Sequence, residues 1–465
     1  MGPWLALIEA WAVAKLIRSP IFNRTVQKAY RKINRIPDME PKNGAGPETE
    51  GILGREIVFE LSQNKKQWQK VYALSRSKKE DYPPNVTHNY IDLMSSVDDM
   101  AEDLQNVRAE YIFFAAYLQK DSEQDNWDAN GAMFSNFLQA LTKTDAIKGV
   151  KRIILVTGAK QYGVHLGAPK NPMTESDPWL TGEQWPPNFY YNQQTILHKF
   201  CKDHGKEWVV TYPNDVIGFA FGNFMNMATA TALYALVSKE LKQDLVFPGS
   251  PEFYTRFDSF TSSKLHAEFC AWAALEPRAV NQAFNVVNGD VESWQNLWPK
   301  VAAYFGLKVK PDQFRERQVD EKADITDMAG KLGLVQSDVQ TSQSSSSPLA
   351  EQPPISSRAE ELGLEGHRVT QQSNVDQQID LVKWSKRDDV KNAWTKVAER
   401  EGLDKTAFEK ATWGFLGFVL GRNYDLVISM SKARKLGWSG YRDTWEILEE
   451  VFNELERAKV LPKSK

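Results

Sequence analysis

Two residues have types and surroundings that could do chemistry together. Lys160 follows Val156-Thr157-Gly158-Ala159 directly, at the end of an apolar run that begins at Ile153, and Tyr190 follows Pro186-Pro187-Asn188-Phe189. A cation within a few ångströms of a phenol favours the phenolate and lowers its pKa. Such a phenol can give a proton or a strong hydrogen bond to a substrate oxygen as negative charge develops there. The plainer readings are an aromatic staple at a helix start for Tyr190 and a surface lysine for Lys160. Other chemistries find less support. There is no G-x-S-x-G elbow for a serine hydrolase. The six histidines are not paired at metal spacing, so no metal site is expected, and His165 reads as a loop residue rather than a general base.

The elements that must position Lys160 and Tyr190 read as alternating strands and helices. Gly51 opens a helix; Val71 to Leu74, His88 to Leu93 and Ala109 to Ala116 read as strands, and Asn130 to Leu141 as a helix. Ile153 to Thr157, Trp208 to Tyr212 and Phe284 to Val287 continue the strands, with helices at Asn223 to Leu241 and Ser263 to Ala274. Such alternation implies a parallel, doubly wound α/β sheet. Runs that stop at Thr-Gly or Pro, with polar side chains just beyond, mark the carboxyl edge of that sheet, where ligands bind.

The totals narrow the function. The 465 residues are 42% hydrophobic and 25% charged, with a net charge of −3. That is an ordinary globular composition, and no single-sign excess exists to displace counterions from a nucleic acid. Cys201 and Cys270 are the only cysteines, too few for a disulfide framework and not at metal-ligand spacing. No segment reaches the roughly 18 apolar residues of a spanning helix. Residues 1–47 stand apart: an apolar helical stretch, then Arg18, Arg24, Lys28, Arg31, Lys32 and Arg35, ending in a polar linker. Amphipathic, basic and acid-poor, this stretch reads either as a mitochondrial presequence or as a surface helix with a solvated basic face. Cytoplasmic is the default compartment and mitochondrial the alternative. The Ser/Gln/Pro-rich run within residues 336–378 reads as a disordered insertion, having too few large apolar residues to offset the entropy of ordering it. From Ile379 to the end the chain reads as amphipathic helices, with Trp384, Trp394, Trp413, Phe415, Phe418, Trp438 and Trp445 spaced to pack as core.

The seat for a dinucleotide is only partly written. Gly51 and Gly54 hold the last two positions of a G-x-x-G-x-x-G turn, with Ile52 between them, but Glu48 stands at the first, where a carboxylate would repel a pyrophosphate. No apolar run precedes that turn, so the first, central strand of the sheet is missing from the sequence. Ser75 and Arg76, closing the second strand, would suit a 2′-phosphate and so favour NADP over NAD. Asp92 and Leu93 close the third strand, where an adenine edge would be held; a strand-capping aspartate is the alternative.

Taken together, TGAKQYG, PPNFYY, TYPNDVIGFAFGNFMN and AFNVVNGDVESWQNLWP resemble the atypical short-chain dehydrogenase/reductases of the progesterone 5β-reductase and iridoid synthase type, in their fungal form. The likeness spans about Gly51 to Leu307 and resumes at Ile379. It implies a Rossmann-like, extended short-chain dehydrogenase fold, with an NADP-binding core at 48–310 and a helical substrate region at 379–465. It also implies that Lys160 and Tyr190 are the catalytic pair. The cofactor would meet the positions named above together with Ala115 and Thr157, and Pro213 to Val216 would face the nicotinamide carboxamide. Phe221, Phe224, Met225 and Tyr254 are candidates for an apolar substrate wall.

The activity so implied is NADPH-dependent hydride transfer to an activated C=C bond of an enone or enal, in secondary metabolism. Carbonyl reduction by the same pair, or a cofactor-impaired scaffold protein, are the alternatives. The missing strand predicts weak or absent NADPH binding. The expected partners are a small enone, enal or carbonyl compound and a second copy of the chain, with neither nucleic acid nor a membrane span.

Overall fold

The structure, a computed structural model, describes residues 51–76, 81–120, 122–220, 225–315, 323–324, 353–367 and 373–463. The chain divides into two units, Met1–Gly46 and Pro47–Lys465. The basic segment at the start of the chain lies outside the described residues. Within the second unit one core cluster runs from Ile57 to Leu461.

Helix α1 (Ile52–Gln63) starts at Gly51, which supplies no side-chain cap. Strands β1 (Val71–Ser75) and β2 (Val86–Tyr90) follow, then α2 (Val97–Asp103), β3 (Tyr111–Phe114) and α3 (Glu123–Lys143). The strand expected to reach Leu93 stops at Tyr90 because a turn begins at Asp92: its carboxylate accepts from Met94 N, and its carbonyl accepts from Ser95 N and Ser95 Oγ. Helix α3 starts seven residues before the expected Asn130, where Ser122 Oγ caps Asp125 N at 3.0 Å. After β4 (Arg152–Val156) come α4 (Phe189–His204), β5 (Glu207–Pro213), β6 (Val216–Ile217), α5 (Met227–Glu240), α6 (Pro251–Thr255), β7 (Thr261–Ser262), α7 (Ser263–Leu275) and β8 (Gln282–Val286). Asn226 caps α5 by accepting from Thr229 N, three residues after the start expected at Asn223, which itself lies outside the described residues.

Every strand pairing among β1–β2 and β3–β4–β5–β8 is parallel, as the alternation predicted. These six strands form two sheets, one of order β1–β2 and one of order β3–β4–β5–β8. Among the described residues no strand joins β1 to β3, and the residues before Gly51, where the first strand was expected to be missing, lie outside those described. Burial follows the division. Strand β4 is buried at four consecutive positions, as a central parallel strand covered on both faces should be. On β3 only Phe114 is fully buried, and on β1 only Val71 and Ala73. Trp68, on the turn before β1, packs edge-on against Tyr111 and Phe113 of β3 at 5.5 and 6.0 Å and covers part of that strand.

The C-terminal helices pack as predicted. Trp384, Trp394, Trp413 and Phe418 are buried, and Phe415, Trp438 and Trp445 pack against the core. The expected disorder over 336–378 does not hold for the described part. Residues Pro354–Arg358 form a 3-10 turn with Pro354 and Ile355 buried, and Ile355 N donates to Ala168 O at 3.0 Å. Ser373 Oγ accepts from Ala168 N at 2.9 Å. One buried isoleucine and a few backbone hydrogen bonds order a stretch whose average composition is polar.

Candidate active site

The candidate residues meet at the carboxyl edge of β4 and β5. Strand β4 ends at Val156, Thr157 is buried, and a 3-10 turn, Ala159–Tyr162, carries Lys160 outward. Tyr190 sits in the first turn of α4, whose cap is Asn188. That asparagine joins the two segments: its Oδ1 accepts from Tyr190 N at 3.1 Å and its Nδ2 donates to Lys160 O at 2.8 Å. Gly158 is needed for space rather than for backbone angle. A Cβ there would lie 3.2 Å from the Tyr190 hydroxyl oxygen and 3.3 Å from the Pro213 carbonyl oxygen. Thus Gly158, Tyr190 and Pro213 converge at one point of the sheet edge.

The two adjacent tyrosines have different employment. Tyr191 Oη donates to Gln161 O at 2.8 Å and accepts from Leu180 N at 3.1 Å, and its ring stacks on Trp179 at 4.6 Å. Its burial pushes the phenol up to about 12. Tyr190 is half-buried, and its hydroxyl makes no hydrogen bond among the described residues. Burial first, and the Glu123 carboxylate second, push the Tyr190 phenol well above its usual range. The expected lowering by Lys160 is therefore not found. Lys160 Nζ instead forms an ion pair at 3.0 Å with Glu123 Oε1, a carboxylate with no exposed side-chain surface at the start of α3. Glu123 is raised by burial and lowered by Lys160, and its second oxygen has no partner. His165 is buried and held well below its usual value, by burial first and by the Lys160 charge second, so it stays neutral.

The cofactor positions fare unevenly. Gly51 is exposed with open space beside it, and a Cβ on Gly54 would sit an ordinary 3.8 Å from the Ala115 Cβ. Neither glycine is required by contacts in the described structure. Ile52 is buried, and Gly218 gives it room, since a Cβ there would come within 2.4 Å of its Cγ2. Ser75 Oγ is bonded to His88 Nε2 at 2.9 Å, and Arg76 is exposed at the end of β1. The Asp92 carboxylate accepts from Met94 N in its own turn, and Leu93 is half-buried against the core. Thr157 Oγ1 donates to Thr211 O at 3.0 Å and so ties β4 to β5.

Of the substrate-wall candidates, Phe221 and Phe224 lie outside the described residues, and Met225 is half-buried. Tyr254 packs edge-on against Phe247 and Phe314 at 5.0 and 5.1 Å, as a member of an aromatic cluster. No group of residues able to hold a metal ion occurs among those described.

Sequence reasoning missed the knot behind the Pro213–Val216 loop. Arg422, from the C-terminal region, pairs with Asp215 through both guanidinium nitrogens at 2.6 and 3.0 Å, and lies 3.7 Å from Asp258. All three are buried. The Arg422 guanidinium holds Asp215 below the usual carboxylate range, while burial and the Asp215 charge raise Asp258. Asn214 Nδ2 donates to Asp258 Oδ1 at 3.0 Å. A positive φ at Asp215, 32°, was the one local oddity, and it is invisible in sequence. Glu123 was missed as well; the Ser122-x-x-Asp125 capping signal would have placed it on a helix.

Residues 85–332 match the family of PRISE-like Rossmann-fold domains. Residues 9–52, most of the segment that stands apart in the sequence, match MIOREX complex component 7. An uncharacterized protein of Schizosaccharomyces pombe is 38% identical over 421 residues, 89% of this chain and 96% of its own. An (S)-8-oxocitronellyl enol synthase of Nepeta cataria is 27% identical over 89% of this chain and 91% of its own. The 3-oxo-Delta(4,5)-steroid 5-beta-reductase of Arabidopsis thaliana is 30% identical over 56% of this chain and 68% of its own. A parallel sheet with its polar cluster at the carboxyl edge fits these likenesses, and the chain belongs to the family of PRISE-like Rossmann-fold domains, oxidoreductases of the atypical short-chain dehydrogenase/reductase kind.

Proposed function

We propose that this chain is an NADPH-dependent reductase acting on the activated C=C bond of an enone or enal, with Tyr190 as the group that meets the substrate oxygen. The observation that carries the reading is the Tyr190 hydroxyl, which makes no hydrogen bond among the described residues and stands beside Gly158 and Pro213, while the neighbouring Tyr191 hydroxyl is fully engaged. The printed activity of the Arabidopsis relative, a 5-beta-reductase of a 3-oxo-Delta(4,5)-steroid, supports a conjugated enone as substrate.

The residues present fit a dinucleotide at both ends. Gly158, lacking a Cβ, leaves room beside the Tyr190 hydroxyl and the Pro213 carbonyl, exposed Arg76 offers a cation for a 2′-phosphate, and α1 starts at Gly51 with no side-chain cap. When bound, the nicotinamide cofactor supplies the hydride that adds to the β-carbon. The chain's own part is electrostatic. Because burial keeps the Tyr190 phenol protonated, it acts as a hydrogen-bond donor to the carbonyl oxygen, and that bond strengthens as the oxygen gains enolate charge. Asn188 fixes the phenol's backbone against that of Lys160.

Following NADPH consumption with an enone and a matched ketone tests the proposal. Wild type is expected to consume NADPH with the enone and yield the saturated ketone, and Tyr190→Phe to lose roughly 10²–10⁴-fold of that rate. Reduction of the ketone instead would reassign the chain as a carbonyl reductase. Unchanged enone turnover in Tyr190→Phe would remove Tyr190 from the mechanism. The division between β1 and β3 supports the reading of a cofactor-impaired scaffold, for which the same assay would show no turnover with either compound.

A further inference from the structure

The C-terminal region reaches both loops of the site from behind. Directly after the helix Trp413–Gly421, Arg422 pairs with Asp215 in the loop after β5, and two residues on, Tyr424 Oη donates to Val164 O at 2.7 Å in the loop after β4. Arg422 and Tyr424 are both buried. The stretch that carries them is itself anchored: Gly421 O accepts from Asp376 N at 2.8 Å, and Asn423 Oδ1 accepts from Asn374 N at 3.1 Å.

The loop after β5 is held residue by residue. Asn214 N donates to Thr261 Oγ1 at 2.9 Å, and Asn214 Nδ2 donates to Ser259 O at 2.9 Å and to Asp258 Oδ1 at 3.0 Å. Asp215 keeps a positive φ of 32°, a conformation that disfavours an L side chain and persists only where the surroundings impose it. The two-point contact with Arg422 holds it there. Stability alone is a poor account of this arrangement. Arg422 Nε makes no hydrogen bond among the described residues, and Asp258 lies 3.7 Å from the guanidinium, beyond hydrogen-bond reach. Apolar side chains in place of such a buried cluster are often as stable or more so. We propose that Arg422 and Tyr424 are positioning residues for the reaction: they clip the loops after β4 and β5 to the C-terminal region, and so fix the spacing of Gly158, the Pro213 carbonyl and the Tyr190 hydroxyl beside which a nicotinamide would lie. A Cβ on Gly158 would already stand 3.2 Å from that hydroxyl and 3.3 Å from that carbonyl, so a small shift of Pro213 against Gly158 changes the space available. This inference rests on the role assigned to Tyr190 above and goes beyond it.

Binding and turnover by the full chain test the clip together. NADPH is followed by its nicotinamide fluorescence, 2′,5′-ADP, which lacks the nicotinamide, by calorimetry, and enone reduction by NADPH consumption. Tyr424→Phe removes one hydrogen bond and no charge. It should hold 2′,5′-ADP as wild type does and lose roughly fivefold in NADPH affinity and in kcat. Arg422→Lys keeps the charge without the planar fork and should lose roughly tenfold in both. In Asp215→Gly/Arg422→Met the buried pair is gone, and glycine takes the positive φ without strain. A merely structural pair predicts wild-type NADPH affinity and kcat for that folded double variant, whereas positioning predicts a kcat roughly 10²-fold lower. Equal losses of NADPH and 2′,5′-ADP, or unchanged NADPH affinity in the folded variants, would overturn the proposal. Should both Arg422 variants fail to fold, Tyr424→Phe decides alone. A wild type that binds NADPH yet reduces neither enone nor ketone would end the reductase reading, and the two binding titrations would still judge the clip. A wild type that binds no NADPH would overturn both.

Discussion

The two pieces of the sheet were built to different standards. In the β3–β4–β5–β8 piece, β4 is buried at Arg152 through Leu155 and β5 at Val209 through Pro213. Its edge carries Lys160, Tyr190 and Asn188 in one hydrogen-bonded arrangement, supported from behind by the buried Asp215, Arg422 and Asp258. The β1–β2 piece is two strands of five residues with few buried positions, and the groups expected to hold adenosine there, Arg76 and Asp92, are an exposed cation and the cap of a local turn. The half proposed to do chemistry is thus held by more interactions than the half proposed to seat the far end of the cofactor. Substrate-side geometry and cofactor affinity can fail independently.

Three variants sharpen or break that comparison. The largest effect is expected in the well-built half. Arg422→Met would leave Asp215 and Asp258 buried without their cation, and should cost about 3–5 kcal/mol of stability. Urea unfolding measures it, and a loss below 1 kcal/mol would mean the knot does not support the loop. In the thin half, Arg76→Ala should leave stability unchanged while weakening NADPH about tenfold, as expected for losing one contact to phosphate worth about 1.4 kcal/mol. Titration with NADPH and NADH side by side checks it, and equal losses for both would remove Arg76 from the 2′-phosphate. The same titration tests the weak binding predicted from the missing strand, which micromolar NADPH affinity would refute. Smallest is Gly54→Ala. Its new methyl would meet the Ala115 Cβ at an ordinary distance inside a helix, so the protein should gain about 0.5–1 kcal/mol. A loss in thermal unfolding would show that the glycine serves a closer approach than the described contacts reveal.

Much of this was legible in advance, for identifiable reasons. Largely apolar runs such as Ile153–Thr157 and Trp208–Tyr212 are what strands buried on two faces require; the second falls within the observed β5 and the first within β4 up to Val156. The aromatic set from Trp384 to Trp445 was read as core because its spacing puts the rings on common faces, and the rings do pack. Less was visible where one side chain overrides the average. Asp92 ends a strand early with a three-hydrogen-bond turn, and Ile355 anchors a turn inside a Ser/Pro-rich stretch.

By itself, the sequence determined the order of strands and helices after Gly51, the parallel sheet and the placement of Lys160 and Tyr190 at the carboxyl edge. All of these follow from periodicity and chain punctuation, which are local. Only the tertiary structure decided that the Tyr191 hydroxyl is engaged while that of Tyr190 makes no hydrogen bond among the described residues, that Glu123 pairs with Lys160, and that Arg422 braces the Pro213–Val216 loop from 207 residues away. Those facts depend on which groups share a low-dielectric interior, and sequence separation carries no information about that.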